Sequence, residues 1–127
     1  MPAISSYDYA IIRLVPGVER GECINVGIIL FCRTRRFMEA RIHLDEARIH
    51  ALAPTLDLKA VQTELDHLLL VCSGKEGSGP IGQLSQSERF HWLVSPRSTI
   101  IQTSPVHSGL CQQPESALTS LLHKLVL

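Results

Sequence analysis

The sequence lacks any excess of charge of one sign. Over 127 residues, 12 lysines and arginines are balanced by 12 aspartates and glutamates, so the formal net charge is zero. A neutral chain generates no overall field that would draw it to nucleic acid or to an anionic lipid surface. We therefore expect no nucleic-acid binding.

Long apolar runs are absent as well. No stretch reaches the roughly 18 consecutive apolar residues of a membrane-spanning helix. The opening MPAISSYDY has no basic segment followed by an apolar one, which a secretory signal would need. These absences predict that the chain has no membrane span and lies in the cytoplasm.

The usual signatures of metals, cofactors and disulfides are missing too. The four cysteines include no CxxC pair, and the six histidines form neither HExxH nor a His/Cys spacing suited to zinc. The segment SGKEGSGP lacks the GxxxxGK[ST] spacing and follows a predicted helix, whereas a P-loop follows a strand. Without export, all four thiols are expected to be reduced. The sequence therefore predicts no bound metal and no cofactor.

What is present is an ordinary globular composition, with 45% apolar and 19% charged residues. This composition and length favour a single domain over residues 1–127. Strand-like segments are YDYAIIRLVP, ECINVGIILFC, FMEARIHL and STIIQTSPV. Helical segments are EARIHALAP after the cap Asp45, DLKAVQTELDHLLLVC, SQSERFHWLV with a Ser85–Glu88 capping box, and PESALTSLLHKLVL opened by Pro114.

This order predicts an α+β fold. Its antiparallel sheet has about four strands, the first three form a meander, and the helices pack on one face. Alternation along the strands assigns Ile24, Val26, Ile28 and Leu30 to the face that the helices bury. Asn25 and Gly27 then fall on a mixed outer face.

The expected hairpin register places Arg13 opposite Asn25 and Ile11 over Gly27. Because glycine leaves space beside the backbone, the outer face would carry a polar notch near Arg41 or His43, rimmed by Tyr7, Tyr9 and Phe31. Three interpretations stay open: a solvated face, a face covered by another segment or subunit, and a binding site.

Two further polar segments carry candidate residues. In VERGE, Arg20 and Glu22 could form an anion clamp or an acid–base pair, or simply a charged turn. In PRSTIIQTSPVHSGLC, polar residues flank a strand, but no GxSxG motif supports a serine nucleophile. Hydrogen bonding within a proline-containing turn is the simpler interpretation. The candidate binding residues are Arg13, Arg20, Glu22, Asn25, Gly27, Arg97, Ser98, Gln102 and His107.

The segments YAIIRLVPGVERGECINVGIILF, DEARIHAL and ERFHWLVSPRSTIIQTSPVHSGL, with the leucine-rich C-terminal helix, resemble a bacterial family called domain of unknown function 3037. The similarity covers roughly residues 7 to 126. The resemblance implies no established activity and no catalytic residue. It does imply frequent proximity to a gene for a HipA-like kinase.

Two function classes therefore remain. The one we favour is a non-catalytic interaction or accessory module, whose protein partner is a HipA-like kinase or a second copy of the chain. The alternative is a small enzyme or ligand-binding protein that uses Arg20, Glu22, Asn25, Arg97 and His107. We name no catalytic residue for it.

Overall fold

The computed structural model describes residues 3–97 and 99–127. The strands are β1 (Ser5–Leu14), β2 (Ile24–Cys32), β3 (Phe37–Ile42), β4 (Ile101–Thr103) and β5 (His107–Cys111). The helices are α1 (Glu46–Leu52), α2 (Leu58–Ser73), α3 (Gly79–Gly82), α4 (Gln86–Leu93) and α5 (Pro114–Leu125), and a 3-10 turn spans Arg33–Arg35. The predicted α+β class and the N-terminal antiparallel meander are confirmed.

Helices α1, α4 and α5 begin where the sequence predicts, whereas the short helix α3 was not predicted. Asp45 caps α1 by accepting a hydrogen bond from the N–H of Arg48 at 3.2 Å. The side chain of Ser85 and that of Glu88 form a reciprocal capping box at the start of α4. Pro114 opens α5, where its missing N–H costs no helical hydrogen bond.

The five strands form one antiparallel sheet in which β1 is central. The order is β3-β2-β1-β4, and β5 also pairs with β1. Strand β4 pairs with Ile12–Leu14, whereas β5 pairs with Ser5–Tyr9. Together β4 and β5 therefore act as one edge strand, interrupted at residues 104–106. The sequence predicted a single strand over residues 98–106 and missed β5.

Helices cover both faces of the sheet, not one face as the sequence predicted. The larger core cluster joins β1, β2 and β3 to α1, α2 and α4 through Ile49, Val61, Leu65, Phe90 and Leu93. The second cluster lies on the opposite face, where Leu118 and Val126 pack against Ile28 and Leu30 of β2. We call these the α2 face and the α5 face.

A β-bulge in β2 explains the difference. Ile12 pairs with Gly27 and Arg13 pairs with Asn25, so Val26 is an extra residue with no partner in β1. Beyond the bulge the alternation is inverted. The predicted register is therefore correct at Arg13–Asn25 and one residue out afterwards. The prediction that Ile28 and Leu30 face the main helical layer was wrong.

The bulge also corrects the interpretation of Gly27, which is buried and is not an open notch. Its pairing with Ile12 places it toward the α2 face, beside Val26. A Cβ at this position would lie 2.6 Å from the carbonyl oxygen of Arg41 and 2.7 Å from Cδ1 of Ile42. The space that glycine leaves is therefore filled by this chain's own core.

We predict that Gly27→Ala lowers the free energy of unfolding by about 1–3 kcal/mol, because the backbone of β3 cannot give way cheaply to a new methyl group. Gly17→Ala is the matched control: it lies in the exposed β1–β2 loop, and its nearest neighbours are 3.9 Å away. Chemical denaturation measures both. Equal stability of the Gly27 variant and the wild type would contradict the packing role.

Candidate functional site

Three of the predicted site residues form a row across the sheet. Arg13 of β1 pairs with Asn25 of β2 on one side and with Gln102 of β4 on the other. Because directly paired residues in adjacent strands share a face, all three side chains lie on the α5 face, where Arg13 follows Ile11. Each is partly buried. The structure thus brings Arg13, Asn25 and Gln102 together.

Asn25 holds α5 against the sheet. Its Nδ2 donates a 3.1 Å hydrogen bond to the carbonyl oxygen of Leu125, in the last turn of the helix. The final carbonyls of a helix have no partner within the helix, so a side-chain donor there stabilises its end. Asn25 therefore has a structural contact of its own.

Gln102 is also engaged, since its Nε2 donates to the carbonyl oxygen of Thr99 at 2.9 Å. Arg13 differs from both neighbours. Its Nε is buried and has no hydrogen-bond partner among residues 3–97 and 99–127, and no ion pair within the same ranges includes Arg13. A guanidinium group carries five N–H donors, so this side chain retains unused capacity to bind an acceptor.

Aromatic rings continue from this row along β1 and onto the neighbouring strand β5. The ring centroids of Tyr7 and Tyr9 are 6.1 Å apart, and those of Tyr9 and His107 are 5.4 Å apart. Both tyrosines are half-buried, and His107 is exposed. Helix α5 packs over β2 and β3, which leaves these rings partly uncovered. We define the open face as Tyr7, Tyr9, Arg13, Gln102 and His107.

Glycine in β5 shapes one end of the open face. Gly109 pairs with Tyr7, and a Cβ on Gly109 would lie 2.5 Å from the tyrosine hydroxyl oxygen. The ring of Tyr7 can therefore lie flat over β5. Burial raises the pKa of the Tyr7 hydroxyl, with smaller contributions from Cys111 and Tyr9, so the hydroxyl is neutral and can donate a hydrogen bond near pH 7.

A groove runs beside the open face, between β5 and α5. Its volume is about 510 Å³. Tyr7 and Cys111 form its sheet wall, and Ser116, Ser120 and Lys124 are among the helix residues that line it. The groove gives the open face a concave border, which a flat sheet surface would lack.

Arg97 lies elsewhere, in a different groove. Its guanidinium stacks 4.8 Å from the ring centroid of Trp92, and its Nη2 donates to the carbonyl oxygen of Trp92 at 2.6 Å. This groove of about 390 Å³ lies between α2 and α4 and is lined by Thr63, Glu64, His67, Leu68, Trp92, Leu93, Arg97, Thr99 and Ile101. No pattern in the sequence had predicted this groove. An exposed tryptophan on a short helix was the available signal. Ser98 lies outside the described residues.

Arg20 and Glu22 form a third location. They lie in the β1–β2 loop and make a salt bridge with each other. Together with Pro16 and Gly17 they line a shallow cleft against the end of α1. The predicted site residues are therefore distributed over three places: the open face with Asn25, the Trp92 groove and this loop. Gly27 belongs to the core.

The thiols of Cys72 and Cys111 have raised pKa values, which makes them poor nucleophiles. Burial raises the pKa of Cys72 to about 12, an effect that nearby Arg89 only partly offsets. Burial also raises the pKa of Cys111, as does the neighbouring Cys32 thiol, while Arg35 lowers it. A thiol acts as a nucleophile only as the thiolate, so the raised pKa makes both cysteines less reactive near pH 7 than a free thiol.

Within the described ranges, no three or more histidine, cysteine, aspartate or glutamate side chains are placed to hold a metal ion. No helix among the described residues is long and apolar enough to cross a membrane.

Residues 9–126 match the model of the family described as a protein of unknown function, DUF3037. The chain belongs to the DUF3037 family. Comparisons with curated proteins and with solved structures gave no match. Membership leaves the activity undefined, so the geometry of the residues has to carry the functional argument.

The SPVH motif in this DUF3037 chain has a structural function at Ser104. Its N–H donates to the carbonyl oxygen of Ile11, and its Oγ accepts from the N–H of Ile11, both at 2.8 Å. A side-chain oxygen thus takes the place of a backbone carbonyl where the edge strand is interrupted. Ser104 is 2% exposed.

We predict that Ser104→Ala destabilises the protein by about 1–3 kcal/mol, because the N–H of Ile11 would be left buried without an acceptor. Ser87→Ala is the control, since its hydroxyl bonds Arg33 on the surface. Thermal and urea unfolding of both variants measure the difference. If Ser104→Ala is as stable as Ser87→Ala, the motif serine does not support the edge.

Proposed function

We propose that the chain is a non-catalytic protein-interaction module that binds its partner through the open face. The observation that carries this proposal is Arg13, whose buried Nε has no acceptor among the described residues. Leaving a buried polar group without a partner costs about 1–3 kcal/mol. That Nε is out of reach of a partner, but Arg13 as a whole is half-buried and makes no ion pair among the described residues, so a partner's carboxylate would bind the rest of this guanidinium.

The other members of the open face support the proposal by their chemistry. Tyr7, Tyr9 and His107 present closely spaced rings that are partly exposed. Tyrosine and arginine are enriched among the residues that dominate interface energies, because each combines a large contact area with a polar end. The partner would therefore present an acidic or carbonyl group to Arg13 and an apolar side chain to the rings.

The enzymatic alternative gains less from the geometry. Arg20 and Glu22 are paired with each other in a loop, and Arg97 stacks on Trp92 on the α2 face. Asn25 bonds the end of α5 on the opposite face. Catalysis needs a nucleophile or an acid–base pair aimed at a shared point, and these side chains point to different neighbours.

The resemblance to the family implies a candidate for the partner, a HipA-like kinase encoded near members of this family. Docking on such a kinase would make the chain an accessory subunit. The chemistry above restricts the contact further, because a kinase surface that binds Arg13 must offer an acidic patch with an apolar centre. The same requirement applies to any other protein partner.

We predict that Arg13→Glu weakens binding to a HipA-like kinase encoded in the same genome by about 30-fold or more, the effect of losing a contact worth 2 kcal/mol. Calorimetry with the purified proteins measures the dissociation constant. His107→Glu provides a second variant of the same face. Because His107 is exposed, this variant should fold like the wild type.

Arg48→Glu is the matched control, because it makes the same charge change at an exposed position of α1, on the α2 face. Full binding by Arg48→Glu with loss in the two open-face variants would support the proposal. Unchanged binding of Arg13→Glu and His107→Glu, or absence of binding by the wild type, would refute it. Turnover of a metabolite that His107→Ala or Glu22→Ala abolishes would favour the enzymatic alternative.

A further inference from the structure

Among residues 3–97 and 99–127, no other strand covers the outer edge of β5, and the edge carries few of the features that normally keep a strand from pairing with another chain. Exposed edges are usually protected by charged side chains, by proline or by a covering segment. Residues 106–112 read VHSGLCQ and contain no Asp, Glu, Lys or Arg. The opposite edge, β3, carries Glu39 and Arg41. Among the described strands, β5 pairs only with β1.

The backbone groups on this outer edge can be identified. Ile11 exchanges hydrogen bonds with Ser104, and Val15 donates to the carbonyl oxygen of Ile100, so odd-numbered residues of β1 direct their N–H and C=O groups toward the edge strand. The bonded pairs in β5 are then those opposite Tyr9, Tyr7 and Ser5. In an antiparallel edge strand the intervening residues point outward. The N–H and C=O groups of Ser108 and Leu110 therefore face away from β1.

Two exposed apolar side chains flank Ser108. Leu110 is 73% exposed and Val106 is 44% exposed. Ser108 and Leu110 of β5 lie on one side of the sheet, and Val106 directly precedes β5, so a pairing that extends the strand by one residue would bring it to the same side. This apolar–polar–apolar pattern is symmetric about Ser108, which allows a strand of the same sequence to match it in the antiparallel direction.

We propose that two copies of this chain pair through β5 to form one continuous antiparallel sheet with Ser108 on the two-fold axis. In this register Val106 of each copy lies opposite Leu110 of its partner, so both exposed side chains are covered. Ser108 lies opposite Ser108 of the partner subunit, and the outward backbone groups pair with one another. The formal net charge is zero, so no overall repulsion opposes the approach of two copies.

The proposed contact between the two β5 strands is short, so the dimer should be weak. A five-residue edge with two apolar pairs buries less than the roughly 800 Å² per partner of a standard interface, and small interfaces of this kind are weak. The dimer should therefore dissociate on dilution. This inference concerns self-association and does not depend on the partner of the open face.

We predict that sedimentation velocity of the wild-type chain, from about 1 μM to about 500 μM, shows a shift from 14.1 kDa toward twice that mass. Ser108→Pro removes an outward N–H in both copies while leaving the bonds to β1, and it should raise the dimer dissociation constant about tenfold or more. Leu110→Lys should do the same, because it places a charge on the edge and removes the apolar pair.

Ser108→Ala is the matched control. It loses the 2.7 Å hydrogen bond from Ser108 Oγ to Asp8, as Ser108→Pro does, but it keeps the N–H. It should therefore dimerise like the wild type. Circular dichroism checks that each variant is folded, and Leu110→Lys carries the test if Ser108→Pro does not fold. A wild-type monomer at every concentration, or undiminished dimerisation of Leu110→Lys, would overturn the proposal.

Cross-linking tests the register separately. In a background without Cys23 and Cys111, Ser108→Cys should form an intermolecular disulfide on mild oxidation, because the two thiols meet at the axis. Leu110→Cys should not, since Leu110 lies opposite Val106 of its partner. The reverse outcome would refute the register with Ser108 on the axis.

Discussion

The bulge at Val26 and Gly27 is the constraint on which the rest of the architecture depends. A regular β2 would direct every second side chain to one helical layer and leave the other side mixed. The extra residue inverts the alternation partway along the strand. Ile24 therefore enters the α2 face before the bulge, Val26 enters it within the bulge, and Ile29 and Phe31 enter it afterwards. Ile28 and Leu30 become available to the opposite face, where α5 packs on them.

Two close packing arrangements follow from this inversion. The bulge turns two consecutive residues, Val26 and Gly27, toward the α2 face. Because Gly27 has no side chain, it leaves room for Ile12 and Ile42. On the opposite face, α5 rests on β2 and β3, and Asn25 fixes its last turn. Since α5 packs mainly on β2 and β3, Arg13 and the rings of Tyr7 and Tyr9 remain partly uncovered. The open face is thus a consequence of where the helix is anchored.

Local patterns in the sequence predicted most elements because their causes are local. The caps at Asp45 and Ser85 and the proline at position 114 act within one helical turn. The bulge was not predictable in this way, because it appears only when β1 and β2 are aligned. From the sequence of β2 alone, a strand with one inserted residue cannot be distinguished from a regular alternating strand. The assignment of side chains to faces therefore failed beyond Gly27.

The candidate site, too, was predictable only where its contacts are set by nearby sequence. The pairing of Arg13 with Asn25 was predicted because it lies on the near side of the bulge, where the register is set by the hairpin. Convergence with Gln102 depends on β4 meeting β1 from about ninety positions away in sequence, which no local pattern encodes. The separation of Arg97 from this row has the same origin. It precedes β4 on the α2 side and is held there by Trp92.

The edge and the open face are physically connected through β5. A two-fold axis at Ser108 is perpendicular to the sheet, so corresponding faces of both copies would lie on the same side. The two open faces would then be neighbours on one extended surface, with His107 of each copy close to the junction. A partner with two contact regions could engage both, and the second contact would form at high effective concentration. Weak pairing of the edges could therefore regulate the strength of binding at the faces without altering a single residue in either of them.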